Sequence, residues 1–259
     1  YDAFDKLAVG TITGHLLECS SSLTGGCFSW PGRKEVPNLA TLGYPLAEIS
    51  SDGSVCLGKT PGSGGRLDVM TCTEQLLYEM HDPSAYITPD CVLDILDVEM
   101  TQVAEDQVAV TGAKAGCRTD TYKVVVGYMD GFIGEGEVSF GGIDAVARAK
   151  HAADIVKQRL TIQGCQYEDY RVDLIGMSSL HGSVDDRTEP YEVRLRIAGR
   201  SQSRKAAETL GFEVRSMHMH GPGGAGGGKG PMVREVLAVR SVLLPRELVS
   251  TNVVVEGSL

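Results

Sequence analysis

The residues best suited to chemistry lie in three glycine-rich segments that also carry charged side chains. The longest segment covers residues 221–230 and contains Lys229. Glycines allow several backbone N–H groups to turn toward one anion, and a lysine adds a positive charge. This segment therefore predicts an anion-binding loop, whose candidate binding residues are Gly223, Gly224, Gly226, Gly227, Gly228 and Lys229.

The same segment fits only part of the pattern of a nucleotide-binding P-loop. Residues 223–229 match G-x-x-x-x-G-K, but Gly230 and Pro231 follow where a P-loop has the Ser or Thr that binds magnesium. The sequence also shows no clear helix after it on which a phosphate could sit. The segment therefore favours a cradle for an anion or a substrate, or a flexible surface loop, over a P-loop.

Two further segments add a cation and a pair of carboxylates. Residues 61–66 provide the candidate binding residues Gly62, Gly64, Gly65 and Arg66, and an arginine can pair bidentately with a carboxylate or phosphate. Residues 131–137 provide Glu135 and Glu137, which would share one face of an extended segment. Close carboxylates can divide acid and base roles, and the alternative is a solvated turn.

Two histidines immediately precede the longest glycine-rich segment. In an extended strand, His218 and His220 would point to the same face and could reach one ligand. No third ligand is identifiable nearby, so no metal site is predicted. We expect the three glycine-rich segments to converge on one cleft. There Lys229 or Arg66 would hold an anionic substrate, while His218 or the two glutamates would transfer protons.

Composition excludes several classes of protein. The chain has 34 acidic and 24 basic residues and a net charge of −10, which disfavours a nucleic-acid partner. No run of eighteen apolar residues is present, so no membrane-spanning helix is predicted. The seven cysteines are odd in number and lack C-x-x-C spacing. They predict reduced thiols without a disulfide, and hence a cytoplasmic location or, alternatively, the mitochondrial matrix.

The first half of the chain favours strands, with two helices. Residues 4–17 place apolar side chains at helical spacing, and residues 71–80 predict a second helix. Residues 45–50 and 54–58 predict a hairpin around a Ser-Asp-Gly turn. Further strands are predicted at residues 67–70, 92–95, 99–103 and 107–111.

The second half predicts a β-α-β-β-α-β order, that of a ferredoxin-like split βαβ unit. The predicted elements are residues 122–128, 143–160, 170–175, 191–197, 202–210 and 212–217. The fold class is therefore α/β of the α+β type. We expect a β-rich subdomain over residues 1–120 and a ferredoxin-like subdomain over residues 121–259, not independent of each other.

Several motifs together resemble the acyclic terpene utilisation family. They are Gly14-His-Leu-Leu-Glu-Cys19, Leu42-Gly-Tyr-Pro-Leu-Ala-Glu48, Pro61-Gly-Ser-Gly-Gly65, Glu74-Gln-Leu-Leu-Tyr-Glu79 and Val126-Gly-Tyr-Met-Asp-Gly131. The resemblance covers nearly the whole chain. It implies that an N-terminal part of the family's domain precedes this sequence, in agreement with Tyr1 not being a start methionine.

The resemblance implies a role in the catabolism of branched, terpenoid-like acids. The expected activity is that of a hydratase or lyase acting on a branched acid or an acyl-CoA, with CoA entering only as part of the substrate. The alternatives are a non-catalytic subunit of an acyl-CoA-processing complex and a small-ligand binding module. A homo-oligomer or an acyl-CoA carboxylase-type partner is expected to accompany it.

Overall fold

The computed structural model describes residues 4–182, 189–252 and 254. The chain divides into two compact units, one formed by Tyr1–Lys123 with Leu243–Leu259 and the other by Val124–Val242. The described residues form four α-helices and eleven strands, and the strands are arranged in three antiparallel sheets. This confirms the mixed α/β class. Residues Leu243–Leu259 group with the first unit. The expected subdomains over residues 1–120 and 121–259 stay a prediction.

The first unit contains two small sheets and two helices. Its elements are α1 (Phe4–Glu18), β1 (Pro45–Ile49), β2 (Val55–Lys59), α2 (Val69–Leu76), β3 (Tyr86–Ile87), β4 (Val92–Asp94), β5 (Glu99–Ala104), β6 (Gln107–Thr111) and β7 (Lys114–Gly116). The strand orders are β1-β2-β6-β5 and β3-β4-β7. The predicted hairpin is confirmed, with Ile49 opposite Val55. Its core includes Ile12, Leu57 and Val108.

The predicted strand at residues 67–70 is wrong because Asp68 caps a helix there. The Asp68 side chain accepts hydrogen bonds from the backbone N–H groups of Met70 and Thr71, and the Thr71 hydroxyl accepts one from the N–H of Asp68. This reciprocal capping box satisfies the first N–H groups of α2. The helix therefore begins at Val69, two residues earlier than predicted, and ends at Leu76.

The second unit has the predicted β-α-β-β-α-β order. Its elements are β8 (Thr121–Gly141), α3 (Ala145–Ile162), β9 (Asp169–Ile175), β10 (Glu192–Ser201), α4 (Arg204–His220) and β11 (Ala225–Pro245). The first three residues of β8 and the last three of β11 are counted with the first unit. The antiparallel sheet has the order β11-β8-β10-β9, with β9 and β10 adjacent as expected. Both helices pack on one face, where Phe140, Leu195 and Ile197 share a core with Val156 and Leu210.

The predicted strand at residues 212–217 is wrong, because α4 continues through it to His220. The sequence indicated that Gly211 ends the helix. In the structure Gly211 is buried inside α4, and a Cβ there would lie 2.6 Å from the Cα of Pro231. Val214 and Met217 then extend the apolar stripe of the helix. The last strand is β11, which starts within the glycine-rich segment.

The pairing of β8 with β10 covers residues 132–141. Before Phe132, the first part of β8 lies beside β11 as a two-stranded ribbon. Its exposed apolar side chains include Val125, Met129, Leu237 and Val239. None of the helices in the described part of the chain is long and apolar enough to cross a membrane.

Candidate functional site

Gly134 and Gly136 lie on β8 beneath α4, where a side chain would not fit. A Cβ at Gly134 would lie 2.0 Å from the carbonyl oxygen of Ala207, and one at Gly136 would lie 2.7 Å from a side chain of the same helix. Because side chains alternate along a strand, Glu135 and Glu137 lie on the opposite face of the sheet. These glycines let the helix approach the strand. The alternative interpretation of residues 131–137 as a solvated turn is wrong, because these residues lie within β8.

Each of the two glutamates is held by an arginine of β10. Glu135 pairs with Arg196, which also donates to Asp173 at 2.8 Å, and Glu137 accepts from Arg194 at 3.2 Å. Hydrogen bonds to Glu135 and Asp173 raise the pKa of Arg196 above its ordinary value. Both carboxylates thus face permanent cations, and the proton-transfer role suggested for them stays a prediction.

Most of the glycine-rich segment belongs to the sheet. From residue 225 onward the expected loop is wrong, because β11 begins there and pairs with β8. A Cβ at Gly228 would lie 3.4 Å from the carbonyl oxygen of Glu137. On this strand, the Lys229 Nζ lies 3.4 Å from the Glu137 Oε2. Two of the three predicted segments are therefore neighbours in one sheet.

The first part of the segment is held by an arginine of α3. Arg148 donates from Nη1 to the carbonyl oxygen of Gly223 at 2.5 Å and from Nη2 to the carbonyl oxygen of Gly141 at 2.6 Å. Gly224 and Gly227 have φ angles of +78° and +60°, a region that favours glycine. The positive φ angles, one just before β11 and one inside it, explain these two glycines without a ligand, and anion binding by the segment stays a prediction.

His218 and His220 lie in the last turn of α4, so the expected strand geometry is wrong. Residues two apart on a helix point about 200° from each other. Both histidines are exposed, and both border a surface pocket of about 510 Å³ that Gly227 and Gly228 also line. His218 is thus close to the glycine-rich segment, as expected, but from a helix end.

The Gly62–Arg66 loop is bound within the first unit. The backbone N–H groups of Gly64, Gly65 and Arg66 donate to carbonyl oxygens of residues 41, 37 and 24 at 2.7, 2.8 and 2.9 Å. The Arg66 guanidinium pairs with Asp68. These three N–H groups are occupied in this structure, so they cannot cradle an anion without rearrangement. A cleft shared with the two segments of the second unit stays a prediction.

A cavity of about 630 Å³ lies within the first unit, at a place that the glycine motifs did not indicate. Its apolar lining comes from Ala85, Ile87, Pro89 and Leu243, and its polar groups include Glu79, His81, Tyr86, Tyr122 and Lys123. Glu79 has a φ angle of +56°, a strained conformation that is concentrated at functional sites. From the sequence, only the irregular segment around Pro83 stood out. The other lining residues are distant in the sequence, and only the fold brings them to this segment.

Tyr86 joins this cavity to a buried histidine. Its ring centroid lies 5.3 Å from that of His15, whose Nδ1 is 2.8 Å from the Glu18 carboxylate and whose Nε2 is 3.0 Å from the Leu76 carbonyl oxygen. Both partners of the imidazole are oxygen atoms, and together they fix the orientation of the buried ring. Burial, followed by the charges of Glu18 and Glu79, raises the pKa of Tyr86. The phenol therefore keeps its proton at neutral pH.

All seven cysteines are free thiols. Cys72 and Cys91 are fully buried, and burial raises the pKa of Cys72 to about 12. Such a thiol is not a nucleophile at neutral pH. In the parts of the chain that the structure describes, no three His, Cys, Asp or Glu side chains are grouped to hold a metal ion.

Comparison with known proteins identifies the family. No curated protein and no solved structure matches the chain. The family model described as acyclic terpene utilisation family protein AtuA matches residues 1–255. Because the match covers nearly the whole sequence, the chain belongs to the acyclic terpene utilisation family.

Proposed function

We propose that this protein is an enzyme of the catabolism of branched, terpenoid-like acids, acting as a hydratase or lyase on the free acid or its CoA thioester. The family supports the substrate class, since its description names acyclic terpene utilisation. CoA would enter as part of the substrate. The observation that carries the proposal is the cavity of the first unit.

The cavity combines apolar side chains with polar ones, among them the carboxylates of Glu79 and Asp82, and small-molecule sites have such a mixed lining. Ala85, Ile87 and Leu243 offer contacts to a methyl-branched chain. Tyr86 and His81 offer groups for proton transfer.

Addition of water to a carbon–carbon double bond needs one acid and one base. The base takes a proton from the attacking water, whose oxygen bonds to one carbon, and the acid delivers a proton to the other carbon. Tyr86 suits the acid because its phenol lines the cavity and a phenol carries a proton that it can donate. His81 suits the base, since it lines the same cavity and an imidazole nitrogen can accept a proton. Elimination of water runs through the same groups in reverse.

A non-catalytic role in a larger complex is the second candidate. The glutamates suggested as catalysts are engaged in ion pairs with Arg194 and Arg196, which is the pattern of a structural charged surface. The ribbon of β8 and β11 also leaves Met129 and Leu237 60% and 68% exposed, an apolar surface that an assembly would cover. Under this candidate the ligand binds without turnover.

Tyr86→Phe, with Tyr44→Phe as the matched control, separates the two candidates. Tyr44 is 65% exposed, lies in the same unit and does not line the cavity. Binding of a branched, monounsaturated ten-carbon acid and of its CoA thioester is measured by calorimetry, and turnover by mass spectrometry. We expect Tyr86→Phe to keep affinity within a few fold and to lose about 10²–10⁴-fold in turnover.

Two results would redirect the proposal. Binding of the acid or thioester without turnover by the wild type would favour the ligand-binding or non-catalytic role. Absence of binding of both compounds to the wild type would refute the assignment of the cavity as the substrate site.

A further inference from the structure

We infer that a second copy of this chain pairs with β11, edge to edge and antiparallel. β11 is the outermost strand of the sheet in the second unit, with β8 on one side and no strand of the described residues on the other. The backbone N–H and C=O groups on its outer edge are therefore open to another strand. None of the residues used below lines the cavity of the first unit, so this pairing is independent of the proposed function.

β11 exposes apolar side chains along its length. It has 21 residues, and none of them is buried. An antiparallel sheet commonly packs one face on a core, so a strand of this length without a buried residue is unusual. Leu237 and Val239 are 68% and 67% exposed. Val125 and Met129, on the part of β8 that belongs to the same ribbon, are 59% and 60% exposed. The ribbon therefore lacks the packed face that stabilises the rest of the sheet.

These four side chains lie on one face of the ribbon. A Cβ at Gly127 would lie 3.3 Å from the side chain of Leu237, which places these two residues side by side. Because side chains alternate along a strand, Val125 and Met129 share the face of Gly127, and Val239 shares the face of Leu237. The face is thus one contiguous apolar patch, and such patches mark contacts with other proteins.

A second copy supplies the strands that the ribbon lacks. Two strands alone are marginally stable in water, whereas three or more strands with an apolar face can be stable. Antiparallel pairing of β11 with itself about a two-fold axis joins two ribbons into four strands, in the order β8-β11-β11-β8. Such an interface uses the same edge of both copies, so this chain alone provides both halves.

Charge and apolar contact select the register of the pairing. In a two-fold pairing of a strand with its copy, opposite residues share a face, so their numbers are both odd or both even. A register centred on Leu237 would place Arg234 opposite Arg240 of the second copy, and like charges opposite each other are destabilising. A register centred on Ala238 avoids this repulsion and places Leu237 opposite Val239 twice. The strand is therefore complementary to itself in the register centred on Ala238.

The first experiment measures the mass of the particle in solution. Sedimentation velocity of the full chain is run at several micromolar concentrations. Leu237→Lys/Val239→Lys places lysine opposite lysine, and Leu237→Lys/Val239→Glu places lysine opposite glutamate. The matched control is Val172→Lys, because Val172 is 43% exposed on β9, the other edge strand of the same sheet.

We expect the wild type and the β9 control to sediment as dimers. The double lysine variant should weaken self-association about 100-fold or more, because like charges meet twice at the interface. The lysine–glutamate variant should restore the dimer, since each lysine then faces a glutamate only in the register centred on Ala238. Circular dichroism checks that each variant is folded, and the cysteine variants described next carry the test if one is not.

Disulfide cross-linking tests the same register by distance. Opposite residues of an antiparallel pair have Cα atoms about 4.5–5.5 Å apart, which a disulfide can bridge. Ala238→Cys should therefore link two copies under mild oxidation. Ser241→Cys should not, because in this register its copy lies about 20 Å away along the strands. Mass spectrometry of the linked peptide distinguishes this bond from links through the native cysteines.

Several results would overturn the pairing. A monomeric wild type, or a dimer that the double lysine variant leaves intact, would mean that β11 is not the contact. A monomeric lysine–glutamate variant, or equal cross-linking at residues 238 and 241, would exclude the register centred on Ala238. Loss of the dimer in the β9 control alone would place the contact on the opposite edge of the sheet. All these measurements report self-association, so the proposed function stands or fails separately.

Discussion

Gly134→Ala tests whether the glycines of β8 serve packing. The helix α4 approaches the strand so closely that a Cβ at Gly134 would lie 2.0 Å from the carbonyl oxygen of Ala207 and 2.6 Å from its Cα. These are backbone atoms of a helix, which cannot rotate away as a side chain can. On the same strand, a Cβ at Gly141 meets nothing within 4 Å. Gly141→Ala is therefore the matched control.

The magnitude follows from the distance that the helix must move. To reach an ordinary contact of 3.4 Å, α4 would have to shift by about 1.4 Å at Ala207. Overpacking of a well-packed interior costs about 1–3 kcal/mol, and more where backbone must move. The same shift would loosen Leu210 and Val214, which are fully buried in the core beneath the sheet. We expect Gly134→Ala to lose about 2–4 kcal/mol of unfolding free energy.

The assay is urea unfolding of the full chain, followed by circular dichroism. We expect Gly141→Ala to be neutral or up to about 0.5 kcal/mol more stable, because alanine reduces the entropy of the unfolded chain. A midpoint for Gly134→Ala equal to that of Gly141→Ala would refute the packing explanation. In that case the glycines between the two glutamates would again need a functional reason.

Three further predictions concern a buried carboxylate, the core and the glycine-rich segment. Burial alone would raise the pKa of Glu213, but hydrogen bonds from Arg159 and Gln163 outweigh it and hold the pKa below 4.5. Glu213→Gln should therefore cost about 1–2 kcal/mol at pH 7, and the deficit should shrink below pH 4.5 in acid titrations of stability. Leu195→Ala, in the core of the second unit, should cost about 2–5 kcal/mol in thermal unfolding. Lys229→Ala should weaken an anionic ligand by about 1.5–3 kcal/mol in calorimetry, and unchanged affinity would leave Lys229 with its contact to Glu137 alone.

The sheet of the second unit was predictable because its sequence alternates. In β10, Val193, Leu195 and Ile197 are buried while Arg194 and Arg196 face the other side, and this period of two appears directly in the sequence. Helix α3 was predictable for the same kind of reason, since its buried residues recur at helical spacing. Patterns that repeat within one element need no knowledge of the partner element.

The sequence-based predictions were wrong where the structure of one segment depends on a neighbouring element that is distant in the sequence. Gly211 looks like the end of a helix, because glycine often follows the last turn. In the structure Gly211 lies in the middle of α4. Glycine is needed there because a Cβ at this position would lie 2.6 Å from the Cα of Pro231 on β11. The cavity was missed for a related reason: its walls come from residues 79–89, 119–123 and 243, and nothing in the sequence shows that they meet.

Glycine serves several needs in this chain, and the contacts distinguish them. Gly134 has no room for a side chain, and Gly224 has a left-handed φ angle, so the fold alone requires glycine at both. Gly223 and Gly226 have neither restriction, since a Cβ at each would meet nothing within 4 Å. Stability therefore gives no reason for glycine at these two positions. A ligand that approaches the backbone closely would be such a reason, so the anion-cradle hypothesis for the glycine-rich segment now depends on Gly223 and Gly226.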